Sequence, residues 1–302
     1  MIAVFEQVLI LCCFAIIGYI LCKAKIIKAE NSQILSGLLV YVFLPCNIFK
    51  SFASGFTVEY IKENYSFLLI GLAVTTIIGI VSYFIVRLFS KKNYERRIYE
   101  YSLTAPNFGY MGFALAESLF GALGLRNFIV YTLPLSIYVN AYGFSRLTKR
   151  ALSVKKLFSP TVISMALGVI WGMFSIPLPQ VAWSILGKSS DCMAPCSMLL
   201  MGIVVSQFAL KDLLKDKRLY VMMCLRLIVI PLSVGGILYF IFPKDIVQIA
   251  VLVYVMPCGL NTIVFPKLVN EDCHIGAGLA LVSTVLACAT IPLLLWVFGI
   301  SV

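Results

Sequence analysis

The chain has 302 residues, of which 61% are hydrophobic and only 12% charged, and its mean hydropathy is +1.00. That is too little polar surface to coat a soluble globule of this size, so the composition excludes a water-soluble domain and points to a bilayer as solvent. The formal charge of +11 does not indicate nucleic acid, because the basic residues sit in short connections between apolar stretches and build no aromatic-interleaved basic domain.

A helix needs about 20 mostly apolar residues to cross the hydrocarbon core. Ten such stretches follow in chain order, at 2–22, 33–50, 66–89, 98–119, 124–145, 160–176, 190–210, 217–241, 246–266 and 276–299. They predict an all-α polytopic membrane protein embedded in a lipid bilayer. The first stretch has no basic n-region, carries Glu6 and is followed by Lys23, Lys25 and Lys28, which reads as an uncleaved helix rather than a signal peptide.

Lysine and arginine alternate along the connections. The odd ones hold Lys23, Lys25 and Lys28; Lys91, Lys92, Arg96 and Arg97; Arg146, Lys149, Arg150, Lys155 and Lys156; Lys211, Lys215, Lys217 and Arg218; and Lys267. The even ones hold only Lys50, Lys62, Arg126, Lys188 and Lys244, a ratio of 17 to 5. The positive-inside rule makes the odd connections cytoplasmic and sets both termini outside, in a plasma membrane of the bacterial inner-membrane kind.

Most of the 10 cysteines lie within apolar spans, where they behave as small hydrophobes. With no C-x-x-C pair and His274 as the single histidine, neither a disulfide scaffold nor a metal site is expected.

Three landmarks recur at nearly one spacing, 150, 150 and 151 residues: Gly18 with Gly168, Pro45 with Pro195, and Pro106 with Pro257. An odd number of helices per repeat means that the second half enters the membrane from the opposite side, giving inverted five-helix repeats over 1–145 and 159–302 joined by a basic cytoplasmic linker at 146–158. Secondary transporters use this architecture repeatedly.

The fourth span reads Ala105-Pro106-Asn107-Phe108-Gly109-Tyr110-Met111-Gly112, and the ninth carries Pro257, Gly259, Asn261 and Pro266. Pro106 and Pro257 cannot bond the carbonyls of Ser102 and Val253, so both spans are expected to break. Unsatisfied backbone in hydrocarbon is tolerated only where protein or a water-filled cavity satisfies it. Inverted repeats bring both breaks to the midplane, each with a half-helix N-terminus suited to a carboxylate. Pro106, Asn107, Gly109, Pro257, Gly259 and Asn261 are therefore the candidate substrate site, with the two asparagines donating to the ligand or capping the second half-helices. The plainer alternative is that these residues serve helix packing.

The breaks are uncharged, whereas a cation or proton exchanger is expected to place Asp or Glu beside them. Glu6, Glu100 and Glu117 fall near helix ends and are read as solvated. Arg226 either snorkels to the cytoplasmic face or attracts an anion, with snorkelling preferred. Asn47, Asn140, Ser197 and Gln207 either line a path or pack, Asn140 being the best path candidate.

At these residues the chain resembles the auxin efflux carrier family, whose bacterial members are often labelled malate or malonate permeases. The resemblance runs nearly end to end and rests on Val42-Phe43-Leu44-Pro45-Cys46-Asn47-Ile48-Phe49, on 106–112, and on Met256 through Pro266 to Ser283-Thr284 and Ile291-Pro292. It implies a fold of the sodium/proton-antiporter type in which helices four and nine cross at their prolines. It also implies a homodimer through a scaffold of helices one, two, six and seven, with helices three to five and eight to ten as a moving transport domain. Asn47 and Asn140 match polar family positions. The short linker lacks the long central loop of the plant carriers, which makes loop regulation and the hormone itself poor expectations.

The expected function is secondary active transport of a small organic anion, a mono- or dicarboxylate, by alternating access. No cofactor is expected; coupling to protons, sodium or the membrane potential stays open. A sodium-coupled bile-acid-type carrier or a cation/proton antiporter is the alternative. An embedded enzyme or sensor subunit is a more distant one, since the sequence has no H-E-x-x-H, no G-x-S-x-G and no paired intramembrane aspartates.

Overall fold

The computed structural model describes residues 2–148, 160–209 and 216–300. Residues 149–158 of the predicted linker, with Lys211 and Lys215, lie outside them. The described residues are all-helical apart from one isolated bridge between Pro106 and Cys258. The helices are α1 (Ile2–Lys23), α2 (Ala29–Ala53), α3 (Val58–Phe89), α4 (Asn93–Thr104), α5 (108–120), α6 (122–148), α7 (Pro160–Met173), α8 (Gln180–Asp191), α9 (Met193–Val205), α10 (Lys217–Tyr239), α11 (Lys244–Val255), α12 (Asn261–Leu268) and α13 (His274–Val297). Among the described residues α2, α3, α10 and α13 are each long and apolar enough to cross a membrane unaided.

Local chemistry sets several boundaries. The hydroxyl of Thr57 accepts from the Tyr60 N–H and caps α3. Gly121, at φ 64° and ψ −165°, makes the turn between α5 and α6, a conformation that a side chain disfavours. In α2 and α10 a wide π turn, Leu39–Phe43 and Leu225–Val229, runs up to a segment with proline in its first turn, Pro45 and Pro231. Those prolines lack the N–H that a regular ladder would use there. The seventh predicted span, 190–210, holds α9, and a separate helix α8 precedes it after Pro179, hidden from a hydropathy window by Lys188 and Asp191.

Two close helix pairs rest on glycine. A Cβ on Gly18 of α1 would lie 2.3 Å from the Leu199 carbonyl oxygen of α9, and one on Gly202 would lie 1.9 Å from that of Ala15. Across the molecule, a Cβ on Gly168 of α7 would lie 3.0 Å from the Phe49 oxygen of α2, and one on Gly172 would lie 2.6 Å from that of Phe52. Gly168 stands to Phe49 as Gly18 stands to Leu199, with the numbers exchanged by 150. Such small-residue contacts hold helices together where lipid removes the hydrophobic drive.

The centre is α11, in which every residue from Ala250 through Val255 is fully enclosed. By contrast α8 has no buried residue, and α3 exposes an apolar face. This inside-out polarity suits a protein whose outer solvent is hydrocarbon.

Candidate functional site at the two helix breaks

Both proline segments leave the helix where the sequence predicts, α4 ending at Thr104 and α11 at Val255. The broken strands then lie antiparallel and close each other's gaps. The Asn107 N–H donates to the Pro257 carbonyl at 2.9 Å, and the Gly259 N–H donates to the Ala105 carbonyl at 3.2 Å. Gly259 is needed for this approach, since a Cβ there would lie 2.9 Å from the Ala105 oxygen. Ser283 of α13 accepts from the Cys258 N–H at 3.0 Å, and Thr262 donates to the Gly259 carbonyl at 3.0 Å.

The Asn107 N–H would, in an unbroken helix, have gone to Leu103. That carbonyl instead receives Nη1 of Arg226 at 3.2 Å, while Nη2 donates to the Met256 carbonyl at 3.0 Å. Arg226 is 0% exposed, and its guanidinium lies 5.8 Å from the Tyr254 ring centre. The preference for snorkelling is therefore wrong: the charge is drawn inward by the carbonyl ends of two half-helices, where a cation also meets the negative ends of their dipoles. The π turn in α10 carries this side chain.

Glu100 needs a second correction. It is 4% exposed rather than solvated, and it accepts from Arg146 Nη2 at 2.7 Å and from the Tyr142 hydroxyl at 2.9 Å. Glu6 and Glu117 are exposed as expected.

Pro106, Asn107, Gly109, Gly259, Asn261 and Asn140 meet around one small cavity of about 30 Å³, roughly the room one water needs. Asn107 is 1% exposed, and neither its Oδ1 nor its Nδ2 has a partner; it caps nothing. Asn261 is committed, accepting from the Tyr110 hydroxyl at 3.1 Å and donating to the Tyr101 hydroxyl at 2.9 Å. Asn140 turns to its own helix and donates to the Ser136 carbonyl at 2.9 Å. Pro257 contributes its carbonyl to the crossing rather than a wall to the cavity.

A second cavity, about 490 Å³, shares Gly109, Tyr110 and Phe113 as lining with the first. Lys50, Arg126, Glu117 and Asp191 line it, together with Asn47. Asn47 thus belongs to this vestibule and not to the breaks; its Nδ2 donates to Ser190 Oγ at 2.6 Å, and its Oδ1 is buried without a partner. Sequence reasoning gave no role to Tyr101, Tyr110, Lys50 or Arg126. A tyrosine inside a broken apolar helix was the available signal for Tyr110, because a buried phenol needs a polar partner.

Ser197 packs locally, donating to the Ala194 carbonyl at 2.8 Å, while Gln207 donates to the Ile203 carbonyl at 3.5 Å and accepts from Lys267 Nζ at 3.1 Å. Among the described residues no cluster of three or more His, Cys, Asp or Glu could hold a metal ion.

Comparison with known proteins identifies the family. The profile of a family described as membrane transport protein matches residues 3–150 and 144–296. An uncharacterized transporter of Methanothermobacter thermautotrophicus is 25% identical over 302 residues, covering 95% of this chain and 96% of its own. An uncharacterized transporter of Methanocaldococcus jannaschii is 25% identical over 218 residues, 68% of this chain and 70% of its own.

Proposed function

The chain belongs to the membrane transport protein family, that of the auxin efflux carriers, and from this premise we propose that it is a secondary carrier of a small organic anion, a mono- or dicarboxylate. In this reading ten membrane passes form two inverted repeats. The scaffold is α1, α2 and α7–α9, and the two helix breaks lie in a transport domain that moves past it. The reciprocal Gly18–Leu199 and Gly168–Phe49 contacts and the reciprocal hydrogen bonds at the breaks support the repeat. The apolar outward faces of α7 and α8, with Leu167, Ile170, Val181 and Ile185 exposed, suit a homodimer through the scaffold.

The observation that carries the reading is the Asn107 side chain, buried and unpartnered in the crossover cavity. Leaving such an amide unsatisfied costs about 1–3 kcal/mol per group, so a buried orphan calls for a ligand or water. The sign of the substrate follows from the charges. No carboxylate lines the crossover cavity among the described residues, and the charge bonded to the crossing backbone is the Arg226 cation, whereas in the vestibule Lys50 and Arg126 are balanced by Glu117 and Asp191. At the crossover a coupling cation would meet repulsion and an anion attraction. The cavity is too small for a dicarboxylate as it stands, so occupation requires the Gly109–Tyr110–Phe113 wall to yield into the vestibule, as alternating access demands.

Proteoliposomes test this directly. Uptake of a labelled dicarboxylate is expected to fall at least about tenfold in Asn107→Ala, the loss of one buried hydrogen-bonding group, with membrane insertion unchanged. Full uptake in Asn107→Ala removes the site, and uptake that requires sodium moves the assignment to a sodium-coupled carrier.

A further inference from the structure

A cavity of about 220 Å³ lies at the other end of α6 from the vestibule, between the end of α3, the start of α4 and the end of α6. Arg87, Arg96, Arg97 and Arg146 line it with Glu100 as the one carboxylate, which leaves three positive charges in excess. We propose that this pocket binds the phosphate of an anionic phospholipid headgroup.

The arginines are held in place yet keep donors free. Arg87 stacks on Tyr83 at 4.0 Å and donates to its hydroxyl. Among the described residues Arg96 spends only Nε, on the Ser90 carbonyl at 2.6 Å. Arg146 gives Nη2 to Glu100, while its Nε is buried without a partner, and Arg97 has no hydrogen bond or ion pair among the described residues. Guanidinium forks converging on one cavity match the tetrahedral oxygens of phosphate better than a point charge would.

The source of the phosphate is indicated by α3. Ile77, Ile80, Val81, Phe84 and Leu88 are exposed at helical spacing, an apolar stripe that leads to Arg87 and gives acyl chains a track. The pocket also lies on the lysine- and arginine-rich face, where anionic lipids gather against a membrane protein. A soluble phosphate would use the pocket but not the stripe.

The test is thermal stabilisation of the full chain in detergent, titrated with phosphatidylglycerol, with phosphatidylcholine, and with inorganic phosphate. Phosphatidylglycerol is expected to raise the unfolding temperature where phosphatidylcholine does not. The variant Arg87→Gln with Arg97→Gln, which keeps the Arg96–Ser90 and Arg146–Glu100 contacts, should bind it roughly thirtyfold more weakly. Lys91→Gln, a charge on the same face that does not line the pocket, should bind as wild type does. Equal phosphatidylglycerol binding by the double variant overturns the site. A loss in Lys91→Gln as large as in the double variant overturns it in favour of diffuse surface attraction, and stabilisation by inorganic phosphate equal to that by the lipid overturns the lipid assignment.

Discussion

The Asn107 N–H donates to the Pro257 carbonyl at 2.9 Å, so the two breaks, 150 residues apart in sequence, complete each other's backbone. With the return bond from Gly259 to Ala105, the crossing is a short two-way ladder that admits no side chain at its closest point. Gly259→Ala should therefore be disruptive. Its new methyl would press on the Ala105 oxygen at 2.9 Å, separating the strands or displacing α12, at a cost of about 1–3 kcal/mol. Thermal unfolding in detergent measures it, with Gly109→Ala as control because a Cβ there meets nothing within 4 Å.

Arg226 holds two carbonyls that the breaks leave without partners. Arg226→Met removes both donors and orphans both acceptors, a loss of about 2–6 kcal/mol at 1–3 kcal/mol per group. Arg226→Lys is expected to recover part of this, since an ammonium lacks the planar fork that reaches both oxygens. Equal stability of wild type and Arg226→Met would mean that the carbonyls find other donors.

How far the crossing was legible in the sequence depends on the residue. Pro106, Pro257 and the glycines declare broken helices because ring and missing N–H act locally, and Gly18 with Gly168 marks two close helix contacts because such contact demands a missing side chain. Arg226 was misread because its partners are backbone oxygens 123 and 30 positions away, and a hydropathy pattern carries no record of which carbonyls lie free. Glu100 was misread similarly: its position near a helix end suggested water, but Arg146 and Tyr142 return to it from α6. Asn107 and Asn261 looked equivalent in sequence. Only the arrival of two tyrosine hydroxyls distinguishes the committed amide from the free one.

The thiols of Cys12 in α1 and Cys288 in α13 lie 3.5 Å apart, across the proposed boundary between scaffold and moving domain. Mild oxidation with copper phenanthroline should remove one hydrogen from each thiol and join the sulfurs. The cross-link is expected to stop transport, and dithiothreitol to restore it, whereas Cys12→Ser should be insensitive. Full transport by cross-linked protein would place α1 and α13 in one rigid body.

Outside the membrane spans, the side chain of Arg218 donates to Asp216 at 2.7 Å. That hydrogen bond, which outweighs burial and is helped by the Arg218 N–H and charge, holds the carboxyl below its ordinary value. A depressed carboxyl stabilises the folded chain above the unfolded pKa and loses that contribution as pH falls through the folded one. The unfolding temperature should thus drop on acidification below about pH 4, and the drop should be shallower in Asp216→Asn.

The account turns on Asn107 being a ligand of the substrate, and ligand-induced thermal stabilisation reads that most directly. Purified protein would be heated with malate, malonate, succinate and indole-3-acetate in turn, then the series repeated with Asn107→Ala. The prediction is stabilisation by at least one carboxylate in the wild type, about 3 kcal/mol at a hundredfold excess over Kd, and its loss in the variant. Stabilisation that survives in Asn107→Ala, or a response to sodium alone, would contradict it.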